Sequence, residues 1–163
     1  MLNELDFMVR FWQLEARDRS AGARLTAAER AELTSLLRVM ATDHHLPPAG
    51  PPPRAGRGAP VQLAAPGGFV TGELRLVCAE GLVVASGAQL HARQRTALHL
   101  ADAVSGLEYT VPCVIEWAWP GPAPALGLRV NGCPTRASFG RMPEPSMWRI
   151  ALGWLEPPRP LSE

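Results

Sequence analysis

A chain of 163 residues has room for one ordinary domain with an appendage, and 47% hydrophobic residues suffice for a single sizeable core rather than two. Its 16 basic residues, every one an arginine, nearly cancel 15 acidic ones, and no positive stripe stands out, which argues against binding nucleic acid through its charge. The start, Met1-Leu2-Asn3-Glu4-Leu5-Asp6, is acidic where a secretory signal is basic, and no apolar run is long enough to span a bilayer, so a cytoplasmic protein without membrane insertion is expected.

The first segment places Leu5, Met8 and Trp12, and again Val9 and Phe11, at spacings that suit a helix with a broad apolar face. Residues 18–24 interrupt it. Thr26-Ala27-Ala28-Glu29 then has the form of a capping box, followed by Leu33, Leu36, Leu37 and Met40 at helical spacing. A short Gly-containing connection makes an antiparallel helical hairpin over residues 1–43 the economical reading. Ordinary packing accounts for its apolar stripes, while Phe7, Phe11 and Trp12 are the candidates for a partner surface should they remain partly free.

Residues 44–60 read HHLPPAGPPPRAGRGAP, and prolines and glycines this dense sustain neither a helix nor a central strand, so this stretch is expected to be a linker. His44 and His45 have no cluster of Cys, Asp or Glu beside them beyond Asp43, and read as solvated linker histidines rather than metal ligands. No metal and no cofactor are expected.

From Val61 the pattern changes to alternation, and a β domain is expected over residues 61–133. Strands are read at 70–78, 81–85, 96–100, 108–119 and 125–130, with Gly67-Gly68 as a turn and hairpin chemistry at 102–106. In the clearest strand, Tyr109, Val111, Cys113, Ile115, Trp117 and Trp119 fall on one face and Glu108, Thr110 and Glu116 on the other. Pro112 donates no backbone hydrogen bond, so that strand is expected at an edge or bulged. About six short strands at regular spacing make a small antiparallel barrel. After Pro134 the alternation stops, and residues 146–156, apolar on more than one side, are read as a terminal helix within a 134–163 tail. The fold class is therefore mainly β: a six-stranded antiparallel barrel with an amino-terminal helical hairpin and a carboxy-terminal helix. Cys78, Cys113 and Cys133, odd in number and widely spaced, are expected to be buried, reduced thiols.

Residues 72–131 carry a series of local phrases: Gly72-Glu73-Leu74, Glu80-Gly81-Leu82, Leu98-His99-Leu100, Ile115-Glu116-Trp117 and Ala125-Leu126-Gly127-Leu128-Arg129. With this strand order, the stretch resembles a PilZ domain, the bacterial module best known for binding cyclic di-GMP. The resemblance implies an RxxxR motif on a loop ahead of the barrel and a D/NxSxxG motif on an early strand. Both are degraded. The loop offers Arg54-Ala55-Gly56-Arg57, one residue short of the family's spacing, and the strand reads Leu76-Val77-Cys78-Ala79-Glu80-Gly81, in which the acid or amide is Leu76, the hydroxyl is Cys78 and only the glycine remains. A nucleotide with two phosphates and two guanines needs Arg forks and polar partners, and a base edge set against Leu76 would lose about 1–3 kcal/mol in an unmade hydrogen bond. Loss of cyclic di-GMP binding is the expectation.

Catalysis is not expected, since Cys78, Cys113, Ser86 and Ser105 have no recognisable nucleophile context beside His91 or His99, and His99 reads as a solvent-facing strand residue. The reading is a non-catalytic, PilZ-like adaptor that recognises other proteins of a motility, polarity or surface-polysaccharide pathway, with Leu76, Cys78, Phe11 and Trp12 as partner-binding candidates. The alternative is an atypical cyclic di-GMP receptor built on Arg54, Arg57, Arg75 and Gly81. An enzyme is a distant third.

Overall fold

The computed structural model describes residues 2–20, 24–40, 45–53, 58–102 and 105–138. They form α1 (Leu2–Arg19), α2 (Ala27–Val39), β1 (Ala59–Ala65), β2 (Gly68–Cys78), β3 (Gly81–Ala85), β4 (Arg95–Asp102), β5 (Leu107–Trp119), β6 (Ala125–Val130) and β7 (Thr135–Ser138). The terminal helix read at 146–156 lies outside the described residues, as do His44, Arg54 and Arg57.

The strands hydrogen-bond in the order β4-β1-β2-β3-β6-β5-β7, and β4 also pairs with β5. That second pairing closes six strands into an antiparallel barrel, with β7 added to β5 outside the ring. β7 is an addition to the sequence reading, because its four residues are all exposed and carry no alternation. β1 begins at Ala59, inside the stretch read as linker, where prolines and glycines hid the strand's start. The turn between β1 and β2 falls at Pro66-Gly67, and Gly68 takes a φ of 136°, open to glycine without strain. At the β4–β5 hairpin, Asp102 accepts from the Ser105 N–H through Oδ2 and from the Gly106 N–H through its carbonyl.

β5 is not an edge strand. Its first residues, Leu107 to Thr110, pair with β7, and Cys113 to Trp119 pair with β6, so the ladder changes partner around Pro112. The Pro112 carbonyl accepts from the Asn131 N–H at 2.8 Å. In an extended strand a residue's N and O point the same way, so the missing N–H of Pro112 faces the junction where no strand partner asks for it. The bulge lies further on, between Ile115 and Trp117.

That bulge inverts the expected phase of β5. Ile115 pairs with Leu128 in the core, but Trp117 pairs with Gly127 and Trp119 with Ala125, so both tryptophans point out of the barrel. β2 does the same at Arg75: Leu74 is opposite Val84 in the core, and Leu76 is opposite Val83 on the outer face. Leu76 and Leu74 therefore do not share a face, although simple alternation along a strand would put them on the same one.

α1 lies across one end of the barrel. The Trp12 indole donates to the Ala79 carbonyl in the β2–β3 turn at 2.7 Å, Gln13 donates to the Pro134 carbonyl ahead of β7, and Asp6 pairs with Arg136 of β7 at 2.7 Å. Leu5, Met8, Val9, Phe11, Trp12 and Leu14 join Leu63, Leu98, Tyr109, Ile115 and Leu128 in one continuous core. α2 covers α1 from outside, buries Leu33 and is keyed by a bidentate Arg10–Glu32 pair at 2.7 and 2.8 Å and by Arg17–Glu29. These ion pairs are half exposed and set register more than stability. Leu36 packs inward from α2, while Leu37 and Val39 are exposed at 43% and 74%. Cys78 and Cys113 are buried, but Cys133, in the loop after β6, is exposed, so the expectation of three buried thiols fails there.

Candidate functional site

The two bulges build a continuous outer face across β2, β3, β6 and β5. Cross-strand partners run Leu76–Val83–Gly127–Trp117 along one row, Cys78–Gly81–Arg129–Val114 on one side of it and Glu73–Ala85–Ala125–Trp119 on the other. The middle row is apolar from end to end. Val83 points away from the core cluster yet is only 1% exposed.

Glycine decides the shape of this face. A Cβ at position 127 would lie 2.2 Å from Cε2 of Trp117, so the indole lies flat against bare backbone. A Cβ at 121 would meet Trp119 Nε1 at 2.3 Å, and that indole nitrogen has no acceptor among the described residues. A Cβ at 81 would meet the Leu128 carbonyl oxygen at 1.9 Å, so Gly81 is required by close approach of β3 to β6, without reference to any ligand.

The chain itself crosses this face. The Leu46 N–H donates to Glu80 Oε2 at 2.9 Å, the Pro47 carbonyl accepts from Trp117 Nε1 at 2.8 Å, and the Gly58 N–H donates to Glu73 Oε1 at 2.8 Å where the chain enters β1. The Leu46 N–H, with help from His45 at 3.3 Å, holds the Glu80 carboxyl below its ordinary range. The His45 side chain is 86% exposed, a solvated histidine as read from sequence, with Nδ1 reaching Glu80 Oε1. Its neighbourhood is a cleft of about 250 Å³ between α1 and the barrel, lined by Trp12, Glu15, Arg19, Glu80 and Arg129 among others. Its charges are largely internally matched, with Arg19 on Glu15 at 2.6 Å and Arg129 on Glu116 at 3.1 Å.

Of the partner candidates read from sequence, Leu76 is half-buried on the outer face and Cys78 is 4% exposed beside it. Phe11 and Trp12 are each 2% exposed and belong to the core between helix and barrel, so they form no free surface. A helix capping a barrel end is buried on nearly all sides, which a one-face reading of its stripe does not foresee. Arg75, at the β2 bulge, donates to Glu73 Oε2 at 2.7 Å. What sequence reasoning missed is Trp117 and its partner Pro47, because the bulge that turns Trp117 outward leaves no mark in the residue pattern.

On the opposite wall, His99 is not solvent-facing: its side chain is 12% exposed, and its Nε2 lies 3.7 Å from Oε1 of the buried Glu108. Burial lowers its pKa, against the pull of Glu108. It sits between Gln62 of β1 and Thr110 of β5, whose strands flank it in the closed sheet. Cys113 is fully enclosed and its thiol is pushed up by burial, away from the thiolate a nucleophile needs. Ser86 is engaged structurally, donating to the Thr71 carbonyl at 3.0 Å. Among the described residues no group of three or more His, Cys, Asp or Glu is placed to hold a metal ion, and no helix is long and apolar enough to cross a membrane.

Fold and site together define a small antiparallel β-barrel, stoppered by a helical pair and carrying an apolar outer face crossed by its own Pro-rich segment. No protein-family model, no curated protein and no solved structure matches the chain.

Proposed function

We propose that this protein is a non-catalytic adaptor, a PilZ-like module acting in the cytoplasm by protein–protein contact in bacterial motility, polarity or surface-polysaccharide regulation, and that it does not bind cyclic di-GMP. One observation carries the reading: the face bearing Leu76, Cys78 and Gly81, the positions that the resemblance assigns to nucleotide, is apolar along its middle row and bonded to by the chain's own Leu46 and Pro47. A guanine there would meet no hydrogen-bonding side chain at Leu76 and would have to displace that segment. The buried Cys113, with its thiol pushed up by burial, and the engaged Ser86 speak against nucleophilic chemistry.

Calorimetric titration with cyclic di-GMP tests it. No saturable heat is expected at micromolar ligand. Saturable binding that disappears on Arg54→Ala and Arg57→Ala would overturn the reading and make the protein an atypical nucleotide receptor.

A further inference from the structure

Trp117 makes an interaction that its position alone does not require. Its indole N–H is spent on a carbonyl of a proline, and that proline opens the run Leu46-Pro47-Pro48-Ala49-Gly50-Pro51-Pro52-Pro53. Such a run has a defined physical character. Each proline fixes φ near −65° and each residue before a proline is steered to extended geometry, so Leu46, Pro47 and Pro48 favour polyproline II geometry, whose carbonyls face outward with no internal donor, before the chain bends at Ala49 to Pro51. A protein recognises that surface with a flat aromatic ring that packs on proline and an N–H that reaches its carbonyl.

The outer face supplies these features on a rigid support. Trp117 is turned outward by the bulge after Ile115 and pressed flat on the backbone of Gly127. Leu76 and Val83 continue the apolar row beside it on β2 and β3. Glu80, at the end of the β2–β3 hairpin, takes the one N–H that the run presents ahead of its first proline, at 2.9 Å. Donor and acceptor on the barrel therefore read consecutive residues of the segment, Leu46 by its N–H and Pro47 by its carbonyl.

We propose that the outer face around Trp117, Val83, Leu76 and Glu80 is a recognition site for polyproline II segments, occupied in the free protein by the chain's own Leu46-Pro47-Pro48. The partner it fits is a protein carrying a proline-rich stretch of the same form, an apolar residue followed by paired prolines. The inference deepens the adaptor reading and rests on it for its biological sense. Because the resident segment is tethered at both ends, its effective concentration is of millimolar order, so a partner engages only by displacing it or after it has lifted.

The test uses the full chain with residues 46–53 replaced by an equally long Gly/Ser segment, and as probe a synthetic peptide of the sequence of residues 46–53. Binding is read on the Trp117 indole N–H resonance, assigned by its loss in Trp117→Phe. The parent protein should ignore the peptide at concentrations below about 1 mM, where the tethered segment outcompetes it. The replaced variant should bind it saturably, and a control peptide with alanine at every proline should bind at least about tenfold more weakly, as it must first be ordered. A folded variant that gives no saturable shift, or that binds both peptides equally, overturns the proposal.

Should the replaced variant fail to fold, Trp117→Phe in the otherwise intact chain decides. Removing the one donor should raise hydrogen exchange at the Leu46 amide about fivefold to tenfold while the barrel strands keep their protection. Unchanged exchange at Leu46 overturns the proposal. Absence of peptide binding removes the polyproline site and leaves the adaptor reading intact. Peptide binding in a protein that also titrates cyclic di-GMP supports the site and removes the adaptor reading.

Discussion

At position 81 the glycine serves the sheet. The resemblance read from sequence would make Gly81 the one match to a nucleotide-binding signature, but the neighbouring strand gives a nearer cause, since a methyl group there would overlap the Leu128 carbonyl. Backbone cannot yield as a side-chain tip can, so β3 and β6 would have to part. Gly81→Ala is expected to lower stability in urea by about 2–3 kcal/mol, at the upper end for overpacking, with a matching fall in melting temperature. A variant as stable as the parent would show that the strands have slack, and the glycine would again need a ligand to explain it. Gly127 makes the same point from the other side: its neighbour is the ring of Trp117, so what it preserves is the posture of one side chain. Neither reason can be read from the letters, because each depends on an atom more than ten residues away or on a partner strand.

Elements were legible in proportion to how local their causes are. The start of α2 was readable because Thr26 and Glu29 satisfy one another's backbone within four residues: the Glu29 N–H donates to Thr26 Oγ1 at 3.2 Å, and the Thr26 N–H donates to Glu29 Oε2 at 2.9 Å. Barrel strands were readable from alternation between turn residues. The faces of β2 and β5 were not, because a bulge shifts the phase by one residue and is set by sheet closure rather than by the residue that bulges. β7 was not readable because an exposed four-residue strand has no apolar face to show. The legible element makes a pH-dependent prediction. The Thr26 N–H, then Arg17 and the Thr26 hydroxyl, lower the Glu29 carboxyl from 4.5 to about 2. A carboxyl depressed by folding contributes stability that is present above its unfolded value and is lost as pH falls toward the folded one, so α2 should loosen between pH 4.5 and 2. Thr26→Ala should remove about 1 kcal/mol at neutral pH yet keep most of that acid limb, because the backbone N–H of position 26 and Arg17 remain, whereas Glu29→Gln should abolish the limb. Helix exchange measured by NMR across the range checks both, and an acid limb that persists in Glu29→Gln would place its origin elsewhere.

For the molecule as a whole, the consequential feature is that α1 is shared between what sequence reads as two parts. An amphipathic helix followed by a linker and a barrel suggests a hairpin that could come and go. Instead six apolar residues of α1 lie in the same core as the barrel's leucines, and its polar side chains are tied to three different places: Trp12 to the β2–β3 turn, Gln13 to the loop ahead of β7, and Asp6 to Arg136 and the Tyr109 hydroxyl. A barrel without α1 would have an open apolar end and three sets of broken polar contacts. With total stabilities of small domains near 5–15 kcal/mol, truncating the buried indole of Trp12 to alanine, expected to cost about 3–5 kcal/mol, removes a large share of the total. The prediction is that helix and barrel unfold together. Far-ultraviolet circular dichroism and tryptophan fluorescence should give coincident urea transitions in the parent, Trp12→Ala should move both midpoints down by the same amount, and a chain lacking residues 1–20 should bind a hydrophobic dye and lose its cooperative transition. Two separated transitions, or a truncated chain that melts as sharply as the parent, would mean that the barrel holds its own core and that α1 is an accessory after all.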